Sequence, residues 1–399
     1  MPTDHPPRAG ASRRGSSGGL AVGGLVALAL ALGVVAWLAG WRLGADSAVY
    51  RAGALTFLHG DPVYTDLRLG TLPDWVSLPF TYPPAAVLLF LPLAALPPGL
   101  VWGVLLAGSV LALAVVVRTL LGTGPDRPAG ALLLPGLTLA ALLLEPVWKT
   151  LFLGQINLVL MALIVVDVLV LSVRGSRWGG VLVGVASAVK LTPLIFVPHL
   201  VFTGRWREAV RAVGTFAGLQ ALMFLLMPGD AARYWTQYAL DPDRVGAVHW
   251  IFNQSLSGLV NRASQVAPWS PLAALAAGIV LAVPAVWLVV RLHRRGDAAG
   301  ALLVTACYAL LLSPVSWSHH WVWCVPLAVL LLVRGRHALA AAVTVLFLSA
   351  IIMWVPNGGD AEFRWGPVAF ALGNSYVLGA TAALLALAAR EWRRGRQLV

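Results

Sequence analysis

Charge is what this sequence has least of. Only 11% of its 399 residues are Asp, Glu, Lys or Arg, less than half the share usual in soluble domains. With 59% hydrophobic residues and a mean hydropathy of +0.83, a soluble globular domain is excluded. Cysteine is nearly absent. Cys307 and Cys324 both lie inside apolar runs, with no partner at metal-ligand spacing, so neither a disulfide framework nor a zinc site is supported. Lysine is just as rare, with Lys149 and Lys190 the only two. The net charge of +12 therefore comes from arginine, in short clusters between apolar runs. A basic surface interleaved with aromatics, as nucleic acid requires, is missing, so nucleic acid is not an expected partner.

What the chain does have is a succession of long apolar runs, each closed by arginines or by Pro/Gly/polar clusters. These predict an all-α integral membrane protein of about twelve transmembrane helices. One polytopic domain, 20–390, is expected between a polar, disordered cytoplasmic tail at 1–19 and a basic cytoplasmic tail at 391–399. The run at 20–40 is too long for a signal-peptide core and precedes many others, so it reads as an uncleaved first helix. Arginine clusters such as Arg118/Arg127, Arg205/Arg207/Arg211, Arg291/Arg294/Arg295 and Arg334/Arg336 mark cytoplasmic loops of a plasma-membrane protein with both termini inside. Counting PAAVLLFLPLAAL (84–96) as a crossing would put Arg118 and Arg127 outside, so this run is expected to be re-entrant or interfacial. The short helices flanking KLTP are either two spans or a helical hairpin. On this threading both lysines and most of the polar clusters fall on the outer face, which predicts an outward-facing, membrane-embedded site.

In loop 1, WRLGADSAVY places Asp46 just beyond the first span. A partly desolvated carboxylate there suits a general base, although capping the next helix is the commoner task of such an Asp. Tyr82 in FTYPP is an interfacial aromatic anchor or the wall of a lipid groove. EPVWKTLFLGQIN sets Glu145 and Lys149 one turn apart and puts Gln155 and Asn157 at the next helix mouth. That set can bind sugar hydroxyls or phosphate, or simply complete the helix ends. Asp167, deeper in that helix, needs an interior partner that the sequence does not name. Lys190 in the KLTP break can hold a phosphate or snorkel to the interface. His249, Asn253 and Gln254 in HWIFNQS suit carbohydrate or loop capping. SPVSWSHHWVW places His319 and His320 among tryptophans at an outer turn, suited to a phosphosugar, or to a place in the aromatic belt.

In this order, the Asp46 loop, YPP, GQINLVLMALIVVD, KLTPLIF, NQSLSG and SPVSWSHHWVW resemble the actinobacterial glycosyltransferase 87 family, the polyprenol-phosphate-mannose-dependent α-1,2-mannosyltransferases. The likeness covers about 20–390. It implies a GT-C membrane fold and inverting transfer, on the extracytoplasmic face, from a polyprenyl-phosphate-sugar donor to a mannoside, glycolipid or polysaccharide acceptor. It further implies Asp46 as general base, a histidine of the HHW turn beside the donor phosphate, and no metal cofactor, since the loop carries one acid rather than an adjacent pair. Lys190, Lys149, His319 and His320 are then the candidates for the donor phosphate. Gln155, Asn157, Glu145, Asn253, Gln254 and His249 are the candidates for sugar or acceptor, and Tyr82 for the isoprenoid groove. An arabinofuranosyltransferase using decaprenyl-phosphoryl-arabinose is the alternative within the class. A lipid-linked-sugar transporter or flippase, which would show an inverted repeat and polar residues on both faces, and a purely structural membrane scaffold are alternatives outside it.

Overall fold

The computed structural model describes residues 10–66, 68–124, 132–239, 241, 244 and 246–396. Residues 1–9, Arg127 and 397–399 lie outside that set. The first half of the tail expected at 1–19 is thus not described, while helix begins at Gly10.

In chain order the helices are α1 (Gly10–Leu38), α2 (Ala45–His59), α3 (Ala86–Phe90, continued by a 3-10 turn Leu91–Ala95), α4 (Pro98–Leu121), α5 (Leu133–Ala141) and α6 (Glu145–Leu153). Then come α7 (Asn157–Val166), α8 (Val181–Val189), α9 (Phe196–Phe202), α10 (Trp206–Leu226), α11 (Pro228–Arg233) and α12 (Leu256–Ser264). The last six are α13 (Ser270–Arg294), α14 (Ala298–Leu312), α15 (Cys324–Val333), α16 (His337–Leu348), α17 (Pro367–Gly373) and α18 (Ser375–Arg396). Among the described residues β-structure is limited to an isolated antiparallel bridge between Asn253 and Trp317.

Each of the twelve apolar segments expected from the sequence is helical, but they are not equal. Four helices, Gly18–Leu38, α4, α10 and α13, are long and apolar enough to cross a membrane unbroken. Two pairs, α5 with α6 and α17 with α18, are bent by 75° and 74°, which gives six spans if each pair counts as one. The other apolar helices run 10–17 residues, short of the roughly 20 a full crossing needs. The chain is a multi-pass membrane protein. The segment 84–97 gives only the ten-residue helix Ala86–Ala95.

The breaks have local causes. Pro146 stands in the first turn of α6, where its missing N–H has no bond to lose. At KLTP, Lys190 is extended (φ −147°, ψ 135°) and ends α8, and Pro193 stands in the first turn of the 3-10 helix Thr192–Ile195 that follows. The interior partners of Asp167 are the N–H groups of Gly180 and Val183, at 2.6 and 2.9 Å, and the Ser172 hydroxyl at 3.3 Å, so its carboxylate caps α8. Between α1 and α4 the contact is backbone on backbone. A Cβ on Gly33 would lie 2.5 Å from Gly103 Cα, and one on Gly99 would lie 2.7 Å from Trp37 Cα. Lipid gives two helices no hydrophobic reason to associate, so small residues that allow close packing supply it.

A second glycine pair positions the site. Gly44 and Gly154 are both left-handed (φ 75° and 66°), a conformation that favours glycine. The Gly44 N–H donates to Phe152 O at 3.1 Å, and Ser47 Oγ donates back to Gly44 O at 2.8 Å. The start of α2 is thereby pressed onto the α6–α7 break. A Cβ on Gly154 would meet Ser47 Oγ at 2.6 Å, Ser47 Cβ at 2.7 Å and Gly44 Cα at 3.3 Å. Gly154→Ala is therefore expected to combine backbone strain with a clash, destabilising the protein by about 1–3 kcal/mol and separating Asp46 from Gln155. Thermal unfolding and sugar transfer, measured on the same preparation, should both fall. Unchanged transfer would show that the close approach does not set the site.

Candidate active site

Four chain breaks meet around Asp46: the α2 start, the α6–α7 turn, the α8 end and the turn before α15. Asp46 is half-buried in the first turn of α2, outside the crossing helices. One helical turn on, Tyr50 shares its face. The Tyr50 hydroxyl donates to Gln155 Oε1 at 2.9 Å and lies 3.0 Å from the Tyr82 hydroxyl. Tyr82 also reaches Gln155 Oε1, at 3.3 Å. With its oxygen claimed by two tyrosines, Gln155 has only its amide N–H groups for the Asp46 carboxyl it faces. Burial pushes that carboxyl up to about 6, against the opposing pull of the Gln155 hydrogen bond and the Lys190 charge. A carboxylate poised there is a competent proton acceptor near neutral pH.

Lys190 stands opposite. Its ammonium donates to Asn157 Oδ1 and to His320 Nε2, each at 3.0 Å. The second bond requires an unprotonated Nε2, so the His320 proton sits on Nδ1. One ammonium hydrogen is left over. Asn157 Nδ2 and Thr150 Oγ1 donate to the His319 carbonyl at 3.1 and 3.0 Å, which pins the histidine turn to the α6–α7 break. The two imidazoles cross at 87° with centroids 4.7 Å apart. His319 Nε2 is buried and has no hydrogen-bond partner, which marks an acceptor or donor position that the protein itself does not fill.

Behind this pair lies a second polar group. Ser318 Oγ accepts from Lys149 at 3.1 Å and donates to Glu145 Oε1 at 2.7 Å, while the Tyr376 hydroxyl donates to Glu145 Oε2 at 3.2 Å. Lys149 also pairs with Glu145 at 3.6 Å and lies 3.2 Å from the Phe252 ring centroid. Both Glu145 oxygens are thus engaged inside the protein. Asn253 and Gln254 are fully buried and bonded to backbone. Asn253 donates to Val248 O and Pro314 O and accepts from Ser316 N. Gln254 donates to Ile251 O and Gly373 O and accepts from Tyr376 N. His249 is set apart, 3.3 Å from Asp360, with its ring tilted at 37° to that of Phe363.

Of the residues singled out in the sequence, the structure brings Asp46, Tyr82, Gln155, Asn157, Lys190, His319 and His320 into one cluster. Glu145 and Lys149 form its backing, and Asn253 and Gln254 brace the histidine turn. His249 stays outside. Tyr50 joins the cluster from one turn after Asp46, an i+4 spacing that is visible in the sequence, whereas Thr150, Ser318 and Tyr376 carry no comparable signal. Among the described residues, no three His, Cys, Asp or Glu side chains come together in a way that would hold a metal ion.

Against this geometry, the profile of glycosyltransferase family 87 matches residues 80–314. A polyprenol-phosphate-mannose-dependent α-(1-2)-phosphatidylinositol mannoside mannosyltransferase of Mycobacterium tuberculosis is 33% identical over 389 residues, covering 89% of this chain and 87% of its own. The Mycolicibacterium smegmatis protein of the same name is 33% identical, with 90% and 88% covered. A phosphatidylinositol pentamannoside mannosyltransferase of M. tuberculosis, also named as polyprenol-phosphate-mannose-dependent, is 37% identical over 295 residues, with 72% of this chain and 66% of its own covered. No solved structure gives a significant match. The fit of the profile across the GQIN, KLTP and NQS segments, together with relatives aligned along nearly the whole chain, makes this protein a member of glycosyltransferase family 87, a polyprenyl-phosphate-sugar-dependent glycosyltransferase.

Proposed function

We propose that the protein transfers mannose from a polyprenyl-phosphate donor to a phosphatidylinositol mannoside or a related mannosylated acceptor, with inversion, at the extracytoplasmic face of the plasma membrane. The observation that carries this reading is the meeting of one elevated carboxyl, Asp46, with the Lys190–His320 pair at the junction of the breaks. The names of the relatives supply the sugar, the lipid phosphate and the acceptor class. The arginine clusters support the orientation, with both termini inside and the breaks outside. The all-helical chain, with four unbroken apolar spans and two bent ones, and the family membership support a GT-C architecture.

In the step, Asp46 takes the proton of an acceptor hydroxyl as its oxygen bonds to C1 of the β-mannosyl phosphate from the opposite face. The bond from C1 to the phosphate oxygen breaks, and its electron pair leaves on the polyprenyl phosphate, giving an α-mannoside. Lys190, with its remaining N–H, and the unpartnered His319 Nε2 face the charge that develops on the leaving phosphate. Phosphate leaves readily, so neither a general acid nor a metal is needed. Glu145 and Lys149 hold the Ser318 hydroxyl and keep the histidine turn in place. The isoprenoid lies against the short α3 segment, whose Phe90 stacks on Tyr50 at 4.3 Å and 10° while Leu89 is exposed to lipid. Tyr82 belongs with its hydroxyl to the polar cluster and with its ring to the entrance of that groove.

Asp46→Asn should reduce transfer by about 10²–10⁴-fold while donor binding survives, measured with radiolabelled polyprenyl-phosphate-mannose, a mannoside acceptor and chelator present. Equal rates in the two proteins would remove Asp46 as the base. Because the base must be ionised, kcat/KM of the wild type should fall tenfold per unit as pH drops below about 6. A flat profile down to pH 4.5 would contradict a carboxyl held that high. Lys190→Met should lower kcat by about 10²–10³-fold, with less effect on a substrate whose phosphate leaving group carries less charge. A uniform loss across leaving groups would assign Lys190 to folding rather than to the departing phosphate.

A further inference from the structure

A groove of 640 Å³ lies apart from the Asp46 cluster, between α14, α15, α16 and α18. Its walls are apolar, with Leu303, Leu330, Leu346 and Leu384 among them, and the exposed Leu339 and Ala383 show that it opens to the outside of the protein. Trp321, Trp323 and Tyr376 close the end near the histidine turn. The opposite end is ringed by Arg295, Arg334, Arg336, Arg390 and Arg394, against two acids, Asp297 and Glu391.

The pairing at that end is incomplete. Asp297 takes Arg334, and Glu391 takes Arg295, Arg394 and, from beside the groove, Arg291. Among the described residues, the side chains of Arg336 and Arg390 have no ion pair or hydrogen bond. Orientation in the membrane alone accounts for arginines at helix ends. It does not account for five of them converging on one apolar groove. Arginines at another such end are satisfied by backbone: Arg205 donates to Val168 O at 3.1 Å and Arg211 to Gly179 O at 2.7 Å.

We infer that this groove binds an anionic phospholipid, its acyl chains along the groove and its phosphate on Arg336 and Arg390. Basic pockets between transmembrane helices recognise lipid headgroups in this way, and the guanidinium fork matches phosphate oxygens. A polyprenyl phosphate is the wrong occupant on geometric grounds. Its phosphate must react beside Lys190, and the ten residues of α15 separate that end of the groove from the arginines by about 15 Å. The site is thus independent of the sugar-transfer chemistry, and its test needs no transfer assay.

Thermal unfolding of the full-length protein in neutral detergent should shift upward on adding phosphatidylglycerol and not on adding phosphatidylcholine, because a ligand that binds only the folded state raises the transition. The double variant Arg336→Gln/Arg390→Gln breaks no internal pair, so it should unfold like wild type without lipid and lose the phosphatidylglycerol shift. Ala383→Trp, which fills the groove and leaves the arginines intact, should lose it too, and native mass spectrometry should show less co-purified anionic phospholipid on both variants. Equal shifts with the two lipids, a full shift in the double variant, or a shift produced by polyprenyl phosphate but not phosphatidylglycerol would each overturn the assignment.

Discussion

An ammonium withdrawn from bulk water must be surrounded by acceptors, and the arrangement around Lys190 answers that requirement. Its two bonds go to separate parts of the chain, Asn157 at the start of α7 and His320 in the turn before α15. Asn157 in turn holds the His319 carbonyl. One lysine side chain therefore ties the KLTP break, the GQIN break and the histidine turn together, and the Asp46 carboxyl faces it from a fourth segment. A fully buried charge stripped of its partner costs about 3–5 kcal/mol, whereas an exposed pair contributes about 0–1 kcal/mol. Lys190 keeps part of its surface accessible, so its share lies between these limits. That is still enough to make the cluster a structural joint as well as a site, which explains why its bonds to the protein leave so few polar atoms unengaged.

The joint closes only because the backbone permits it. Gly44 and Gly154 allow the two loops to approach to distances no side chain would tolerate, and Ser47 fills the space between them. On the far side, the segment between α10 and α13 is fastened by Arg262, which donates to Asn374 Oδ1 at 2.9 and 2.7 Å across the break between α17 and α18. Asp230 fastens it again, accepting from Val63 N and Tyr64 N of loop 1. These connecting segments are thus bonded to one another rather than draped independently over the helices, and Phe252 reaches Lys149 from the same α10–α13 segment.

Much of this was legible in the sequence, for physical reasons. Proline and glycine at YPP, LGQ and KLTP announce breaks whatever the context, and a carboxylate, two lysines and a histidine pair stand out against so apolar a background. What single-segment reading could not supply was the assignment of partners. Tyr82 looks interfacial by its neighbours, yet its hydroxyl turns inward to Gln155. Asn253 and Gln254 look like sugar ligands by composition, yet they bond the backbone of loops sixty and more residues away. Helix lengths were hard to read for a related reason. Hydropathy registers apolar residues through a bend as readily as through a straight span, so α17–α18 reads as one run.

The fate of the amides shows how a membrane site divides its polar atoms. At membrane depth each broken helix exposes carbonyls and N–H groups that lipid cannot satisfy, so the protein must. Asn157 answers His319 O, Asn253 answers Pro314 O, and Gln254 answers Gly373 O and Tyr376 N. Amides gather at the breaks because the breaks create the need. Once those obligations are met, the cluster keeps a small remainder: the Asp46 carboxylate, held by the Gln155 amide, one Lys190 hydrogen and the buried, unpartnered His319 Nε2. None of them answers a backbone group at a break, and a buried imidazole nitrogen left unmatched is costly unless something else meets it in the working state. They are one acid, one cation and one imidazole in one cluster, the kinds of group that the proposed transfer would use on an attacking hydroxyl and a departing phosphate. The same reasoning separates Glu145, whose oxygens are both engaged within the protein, from Asp46, although composition alone makes the two carboxylates equivalent.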